Sequence, residues 1–440
     1  MTFLCGASVR DFSPTEDMLP LAASYRQSYT SVAHPLHVRA IALNDGNHTA
    51  LIMNFELGSV PDADILLNRI AEESGVAKEY IFAAGTHAHA APFSPRMNFF
   101  PRRNVMPSYD EEGRKKLEAF FDRIHVLAVE AAKEAVAQMK PAIMKYAFGE
   151  SWINVNRNQD YVLHGNYQEA LDEFQDNFAM KVRKVNGRTV LTMLGINPKG
   201  PSDKTLSVVK FEGEDGAPIA WFINHSTHSV VMHMNLLHAL SSDFSGETAR
   251  LMEKEFPGSV AVWTAGSSGD QNPVIMSNNY VPVPETGMVR LNANNADPLD
   301  LVDRVAGTHF DDILKTIDNM NLADETTIRC AKDYAKPVST NPEKEFNIGM
   351  TLLQIGPINL IGVSGELYTS IGQHLKKESN SNKTIIVSYH SALGENGVGY
   401  ILDDDGLERG GWGWSRWQVK HGSTVTAMTE TMKNLFHNAK

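Results

Sequence analysis

Cysteine is nearly absent from this chain of 440 residues, where Cys5 and Cys330 stand far apart and in no C-x-x-C spacing. A disulfide framework and a thiolate zinc site are therefore excluded, and any bound metal has to be held by histidine and carboxylate. Basic clusters are missing too. Lys and Arg total 40 against 52 Asp and Glu, a formal net charge of −12 with no basic block. Nucleic acid and anionic membrane surfaces are poor partners for such a chain. No apolar run approaches the length that spans a bilayer. The opening Met1-Thr-Phe-Leu-Cys-Gly6 lacks a basic n-region, a long apolar stretch and a cleavage site. These absences predict a cytoplasmic protein that acts on a small molecule without stable membrane association, and they leave a homo-oligomer open. Repeats, low-complexity linkers and a clear domain boundary are absent as well.

What is present is an ordinary globular composition, 42% hydrophobic and 21% charged. Strand-like Val38–Leu43 and Ala50–Phe55 flank the turn Asn44-Asp-Gly-Asn47, a hairpin signature. A helical stripe of Ile65, Leu66 and Ile70 and then the strand Tyr80–Ala84 complete a β-α-β unit. Asp110 to Lys140 is the clearest helix, with Leu117, Phe120, Phe121, Ile124, Leu127 and Ala131 on one face. Further strands are predicted over 143–148, 151–155, 206–211, 219–223 and 259–264, and a helix capped by Asp243 or Ser245 over 243–254. The polar, weakly periodic stretch 158–204 reads as an insertion or long loop. A hairpin over 346–363, helices over 298–320, 368–377 and 421–434 and a strand over 384–389 close the chain. The expected class is α/β, a single large domain with a mixed β-sheet flanked by helices and its active site at strand ends.

Several strand ends carry chemistry. Tyr80-Ile-Phe-Ala-Ala84 runs into Gly85-Thr-His-Ala-His-Ala-Ala-Pro92. If the backbone stays extended there, His87 and His89 face one side. The Pro- and aromatic-rich stretch 91–109, with Arg96, Arg102 and Arg103, reads as a lid or substrate wall. A second apolar strand ends in Trp221-Phe-Ile-Asn-His-Ser-Thr-His-Ser229, delivering His225 and His228, with His233 and His238 close behind. One buried histidine is commonplace, but two strand ends with paired histidines point to a shared metal site. Glu366, in Gly362-Val-Ser-Gly-Glu-Leu-Tyr368, lies at a strand-to-helix turn where a helix dipole alone would favour a carboxylate. With the histidines it makes a His, His, Glu set, which leaves zinc an open position for water.

The loop Ala265-Gly-Ser-Ser-Gly-Asp-Gln-Asn-Pro273 has no P-loop lysine and is not a G-x-S-x-G elbow. Its expected job is to bring backbone N–H groups and Asp270 to the site floor. Gly394-Glu-Asn-Gly-Val-Gly-Tyr-Ile401 delivers Tyr400 from a glycine-rich loop, and Gly410-Gly-Trp-Gly-Trp-Ser-Arg416 puts Trp412 and Trp414 at the same rim, with His228. Such indoles suit stacking on a sugar ring or an acyl chain, or they belong to the core.

In this order the segments resemble the catalytic domain of the neutral, non-lysosomal ceramidase family. The resemblance rests on His87-Ala-His-Ala-Ala-Pro92, Asn156-Arg157, His225-Ser-Thr227, Ser241-Ser-Asp243, Gly269-Asp-Gln-Asn-Pro273, Gly365-Glu366 and Gly399-Tyr-Ile401, with Gly6–Pro14 as the opening strand. Each motif alone is weak; in register over nearly the whole chain they are specific. The resemblance implies zinc (Zn2+) as cofactor, with His87, His225, Glu366 and Tyr400 as ligands. It puts His89 and Arg157 at the reacting carbonyl or amide, and Asp270 and Asn272 in the adjoining catalytic loop. Asn272 stands where the ceramidases carry serine, so a serine nucleophile is unavailable there while a zinc-water route survives. The sequence contains no counterpart of the β-sandwich that follows the catalytic domain in ceramidases. The expectation is therefore a zinc-dependent hydrolase cleaving an amide of a smaller, soluble substrate. A zinc-assisted esterase, lactonase or glycan-processing enzyme stays open, as does a non-catalytic metal- or carbohydrate-binding protein.

Overall fold

The computed structural model describes residues 2–22, 28–96, 109–163, 181–232, 238–282, 289–293, 296–391 and 397–440. The fold is α/β, as expected. Its frame consists of three sheets, each holding one parallel strand pair closed by a helix. In the first, the order is Ile81–Gly85, Thr49–Phe55, His37–Asn44, Leu4–Asp11 and Lys140–Pro141. The hairpin forms with Val38 opposite Phe55, and Thr49–Phe55 pairs in parallel with Ile81–Gly85 across the helix Ala63–Ser74. The second sheet runs Val260–Ala265, Pro218–His225, Thr205–Glu212, Ile143–Glu150 and Asn321–Leu322, and the helix Asp243–Glu255 joins its parallel pair. The third runs Ile328–Ala335, Ile348–Ile355, Ile358–Val363 and Thr384–Val387, with Thr369–Glu378 as the crossover helix.

The strands read as near-continuous hydrophobic runs because both of their faces are buried. Ile41, Ile52 and Phe82 of the first sheet, Phe211, Phe222 and Val262 of the second and Leu353, Leu360 and Ile385 of the third share one core. The opposite faces are covered by helices: Ala63–Ser74 and Glu111–Ala137 on the first sheet, Asp243–Glu255 and Pro298–Ile317 on the second, Thr369–Glu378 and Ser423–Asn438 on the third. The Asp110 carboxylate caps Glu111–Ala137 by accepting from Gly113 N.

Three local expectations change. Ile65 is 48% exposed, and Leu67 joins Leu66 and Ile70 on the buried stripe. Neither Asp243 nor Ser245 caps the helix Asp243–Glu255. Ser242 stands at its N-cap without a side-chain bond, and the Asp243 carboxylate accepts from Val231 N, Met232 N and Phe244 N. The stretch 158–204, expected as an insertion or loop, carries strands. Asn154–Val162, Lys181–Val185 and Arg188–Asn197 make a fourth sheet with Gln271–Pro273, while residues 164–180 lie outside the described ones. No helix among the described residues is long and apolar enough to cross a membrane.

The strand ends are tied to one another by backbone hydrogen bonds. Gly85 N donates to Tyr389 O (3.2 Å), Ser388 N to Ala265 O (2.9 Å), Tyr389 N to Gly365 O (3.1 Å) and Gly269 N to Leu367 O (2.8 Å). The three parallel pairs thus converge on one place.

Candidate active site

The chain does not stay extended after Gly85. Thr86 N donates to Phe55 O, His87 N to Leu57 O, and His87 takes a left-handed conformation with φ 63°. The two imidazoles meet through this turn and not through strand pleat. His87 Nε2 and His89 Nε2 lie 3.0 Å apart, with the rings 76° from parallel.

His87 Nδ1 donates to Gly58 O at 2.7 Å, so its Nε2 carries a lone pair. His228 is fixed in the same way, with Nδ1 donating to Ser268 O at 2.6 Å. Both free nitrogens face one carboxylate oxygen, since Glu366 Oε2 lies 3.4 Å from His87 Nε2 and 3.2 Å from His228 Nε2. Donor atoms of His87, His89 and His228 all lie within 4.8 Å of one another. The lone pairs of His87 Nε2 and His228 Nε2, both turned toward the Glu366 carboxylate, repel it unless a cation sits among them, and the Nδ1–carbonyl contacts are the outer support that metal-bound histidines normally have. The donor set fits a divalent ion such as zinc.

The charge states agree with that reading. Burial and the nearby Arg157 guanidinium bring the His228 pKa down to about 3, so the ring is neutral.

His225 is not brought to this cluster. Thr227 Oγ1 lies 2.7 Å from its Nδ1, its Nε2 donates to Ser151 O at 3.0 Å, and the ring is fully buried beside His309. The reason is the turn after the strand Pro218–His225. Thr227 N donates to His225 O and Val230 N to His228 O, so residues three apart leave on different sides. His238 Nδ1 lies near Ser28 O, away from the site, while His233, Arg102, Arg103 and Gly394 fall outside the described residues.

Tyr400 pairs with Glu366 through two short parallel strands, and its ring stacks 6.4 Å from that of His228. Arg157 lies behind it, with Cζ 5.3 Å from the Tyr400 ring and 5.7 Å from the Trp412 ring. Nη2 of Arg157 donates to Gly269 O at 2.5 Å and Nη1 to Asn272 Oδ1 at 3.3 Å. Asp270 faces away from the histidines. Its carboxylate accepts from Asn156 Nδ2, Thr369 N and Thr369 Oγ1, and its carbonyl accepts from Arg157 N. Asp270 and Asn272 therefore position Arg157. Trp414 sits under Lys181 Nζ, 4.6 Å from its ring, and packs against the third sheet's core.

Sequence reading passed over Tyr389. Its ring stacks on His87 and its hydroxyl lies 3.0 Å from Ser268 Oγ. The signal was present, because Ser388-Tyr-His-Ser391 is another apolar strand running out into small polar residues.

No family model and no curated protein matches this sequence. Solved structures do. Neutral ceramidase from Pseudomonas aeruginosa is 13% identical, with a TM-score of 0.68 over 99% of this chain and 74% of that one. The chain has the ceramidase fold. A ceramidase complexed with C2 matches equally, at 12% identity and a TM-score of 0.69 over 99% of this chain and 75% of that one. At the level of fold, the motif resemblance is thus confirmed. The ceramidase fold of this chain brings His87, His89 and Glu366 together as expected and adds His228 to them.

Proposed function

We propose that this protein is a zinc-dependent hydrolase that cleaves the amide bond of a small N-acyl compound. The observation that carries this reading is the convergence of His87 Nε2, His228 Nε2 and Glu366 Oε2 with both Nδ1 atoms locked onto carbonyls. In this reading His228 takes the ligand place expected for His225, whose nitrogens are both spent on Thr227 and Ser151. Tyr400, beside Glu366, is the candidate fourth ligand. When bound, zinc supplies Lewis acidity, bringing the pKa of water at the site to about 7 and making hydroxide available at neutral pH.

The remaining chemistry belongs to side chains. Hydrolysis adds hydroxyl to the acyl carbon and a proton to the departing nitrogen. His89, half-exposed beside His87, is positioned to give that proton. Arg157, held by Gly269 and Asn272, binds a polar or anionic part of the substrate. The family that shares the fold supports an amide as the bond cleaved, because the two solved structures are ceramidases.

The test pairs metal analysis with a hydrolysis screen over acyl-amides, esters and glycosides. Zinc bound one to one, amide cleavage, and loss of both in His87→Ala are expected. Folded protein that takes up no zinc would overturn the reading.

A further inference from the structure

Two arginines are buried among the described residues, and the protein treats them differently. Arg39, 1% exposed, lies between the carboxylates of Glu56 and Glu253. Arg157, 4% exposed, makes no ion pair with a carboxylate among the described residues. Its hydrogen bonds go to the Gly269 carbonyl and the Asn272 amide, and its Nε finds no partner. The rings of Tyr400 and Trp412 flank the guanidinium at cation–π distance, and the Tyr400 hydroxyl also bonds to it, but neither side chain carries a charge at neutral pH. A buried guanidinium with no carboxylate in contact is costly, and such a group is a candidate to receive the charge of a ligand. Glu366 attracts the guanidinium only from a distance, since both of its close contacts are to the histidines. With a divalent ion bound, the site would carry more positive than negative charge.

We propose that Arg157 binds a carboxylate of the substrate, so that the protein prefers N-acyl amino acids to neutral N-acyl alcohols. The inference rests on the amide-hydrolase reading. The planar guanidinium matches a carboxylate in two-point contact. The Asp270 and Asn272 contacts hold the guanidinium against Tyr400, whose ring stacks on His228 of the histidine cluster, and the α-carboxylate of an N-acyl amino acid is only two bonds from the scissile nitrogen.

The experiment compares N-hexanoylglycine with N-hexanoylethanolamine, which share the acyl chain and differ in the carboxylate. The acid is expected to have a kcat/KM about 10- to 100-fold higher, the usual worth of a charge-assisted contact. Arg157→Leu should bring the acid-to-alcohol ratio down at least tenfold through KM for the acid, and Arg157→Lys should restore part of it. A second readout avoids turnover: calorimetric binding of N-hexanoylglycine to metal-free His87→Ala protein, lost when Arg157→Leu is added. Cleavage of both amides with a ratio near one, or an equal loss for both in Arg157→Leu, overturns the inference while leaving the hydrolase reading intact. Binding that depends on Arg157 in a protein that cleaves no amide overturns the hydrolase reading instead.

Discussion

The ring of Tyr389 lies 3.7 Å from that of His87 and within 5° of parallel to it. Both residues are left-handed, with φ 56° and 63°, a conformation that is costly for bulky side chains and that persists where surrounding structure enforces it. Two strained residues from different sheets thus hold each other in register at the site.

Tyr389→Ala is therefore expected to weaken zinc binding about 10-fold or more by freeing the His87 ring, on the scale usual for outer-shell partners. Tyr389→Phe keeps the stack and loses the hydroxyl's contacts with Ser268 Oγ and the long ones with the His228 ring, which Ser268 O still holds, so it should bind zinc nearly normally. A zinc titration against a competing chelator measures both; equal affinity in the Ala and Phe variants would refute the role of the stack.

His228→Ala and His225→Ala should part company. The first removes a facing lone pair and should yield folded protein with little zinc. The second breaks the contacts with Thr227 and Ser151 and should cost about 2 kcal/mol of stability while the folded fraction keeps its zinc. Metal content per folded molecule, read beside a denaturant melt, decides which histidine is the ligand.

Gly269→Ala tests the approach of the loop to Glu366. A Cβ there would lie 2.5 Å from Glu366 O and 2.9 Å from Leu367 C, both backbone. Either the loop or the short strand Glu366–Leu367 must move, carrying the Arg157 contact at Gly269 O or Glu366 with it. Activity is expected to fall about 100-fold, since misplacement near 1 Å is enough for that. Near-native kcat/KM would show that the site tolerates the shift.

Glu56 sets an acid limb of stability. Burial opposes its ionisation, but the Arg39 guanidinium and His37 outweigh burial and bring the pKa from 4.5 to about 2. A depressed carboxyl stabilises the fold above its unfolded pKa and loses that contribution as pH falls from about 4.5 through about 2, here about 3 kcal/mol. Glu56→Gln should lower stability at pH 7 and flatten this limb in urea melts taken across the range. It should also loosen the site, because Leu57 O and Gly58 O, the next residues, hold His87.

Helices and buried strands were legible because their signals are local. The stripe of Glu111–Ala137 and the apolar runs before Gly85, His225 and Gly365 need no tertiary information. Asn154–Val162 was misread in part because Asn154, Asn156, Arg157 and Asn158 are buried polar residues. Hydropathy scores such residues as loop, although Asp270, Asn272 and the carbonyls of residues 201, 203 and 226 satisfy much of their hydrogen bonding.

By itself the sequence determined that histidine and carboxylate gather at strand ends, since the apolar runs stop just before His87, at His225 and just before Glu366. Only the tertiary structure decided which of them meet. Whether His225 or His228 faces Glu366 depends on one turn after a strand, and whether Arg157 has a counter-ion depends on what three other segments bring beside it. Those are distances between residues remote in the chain, and local propensity does not encode them.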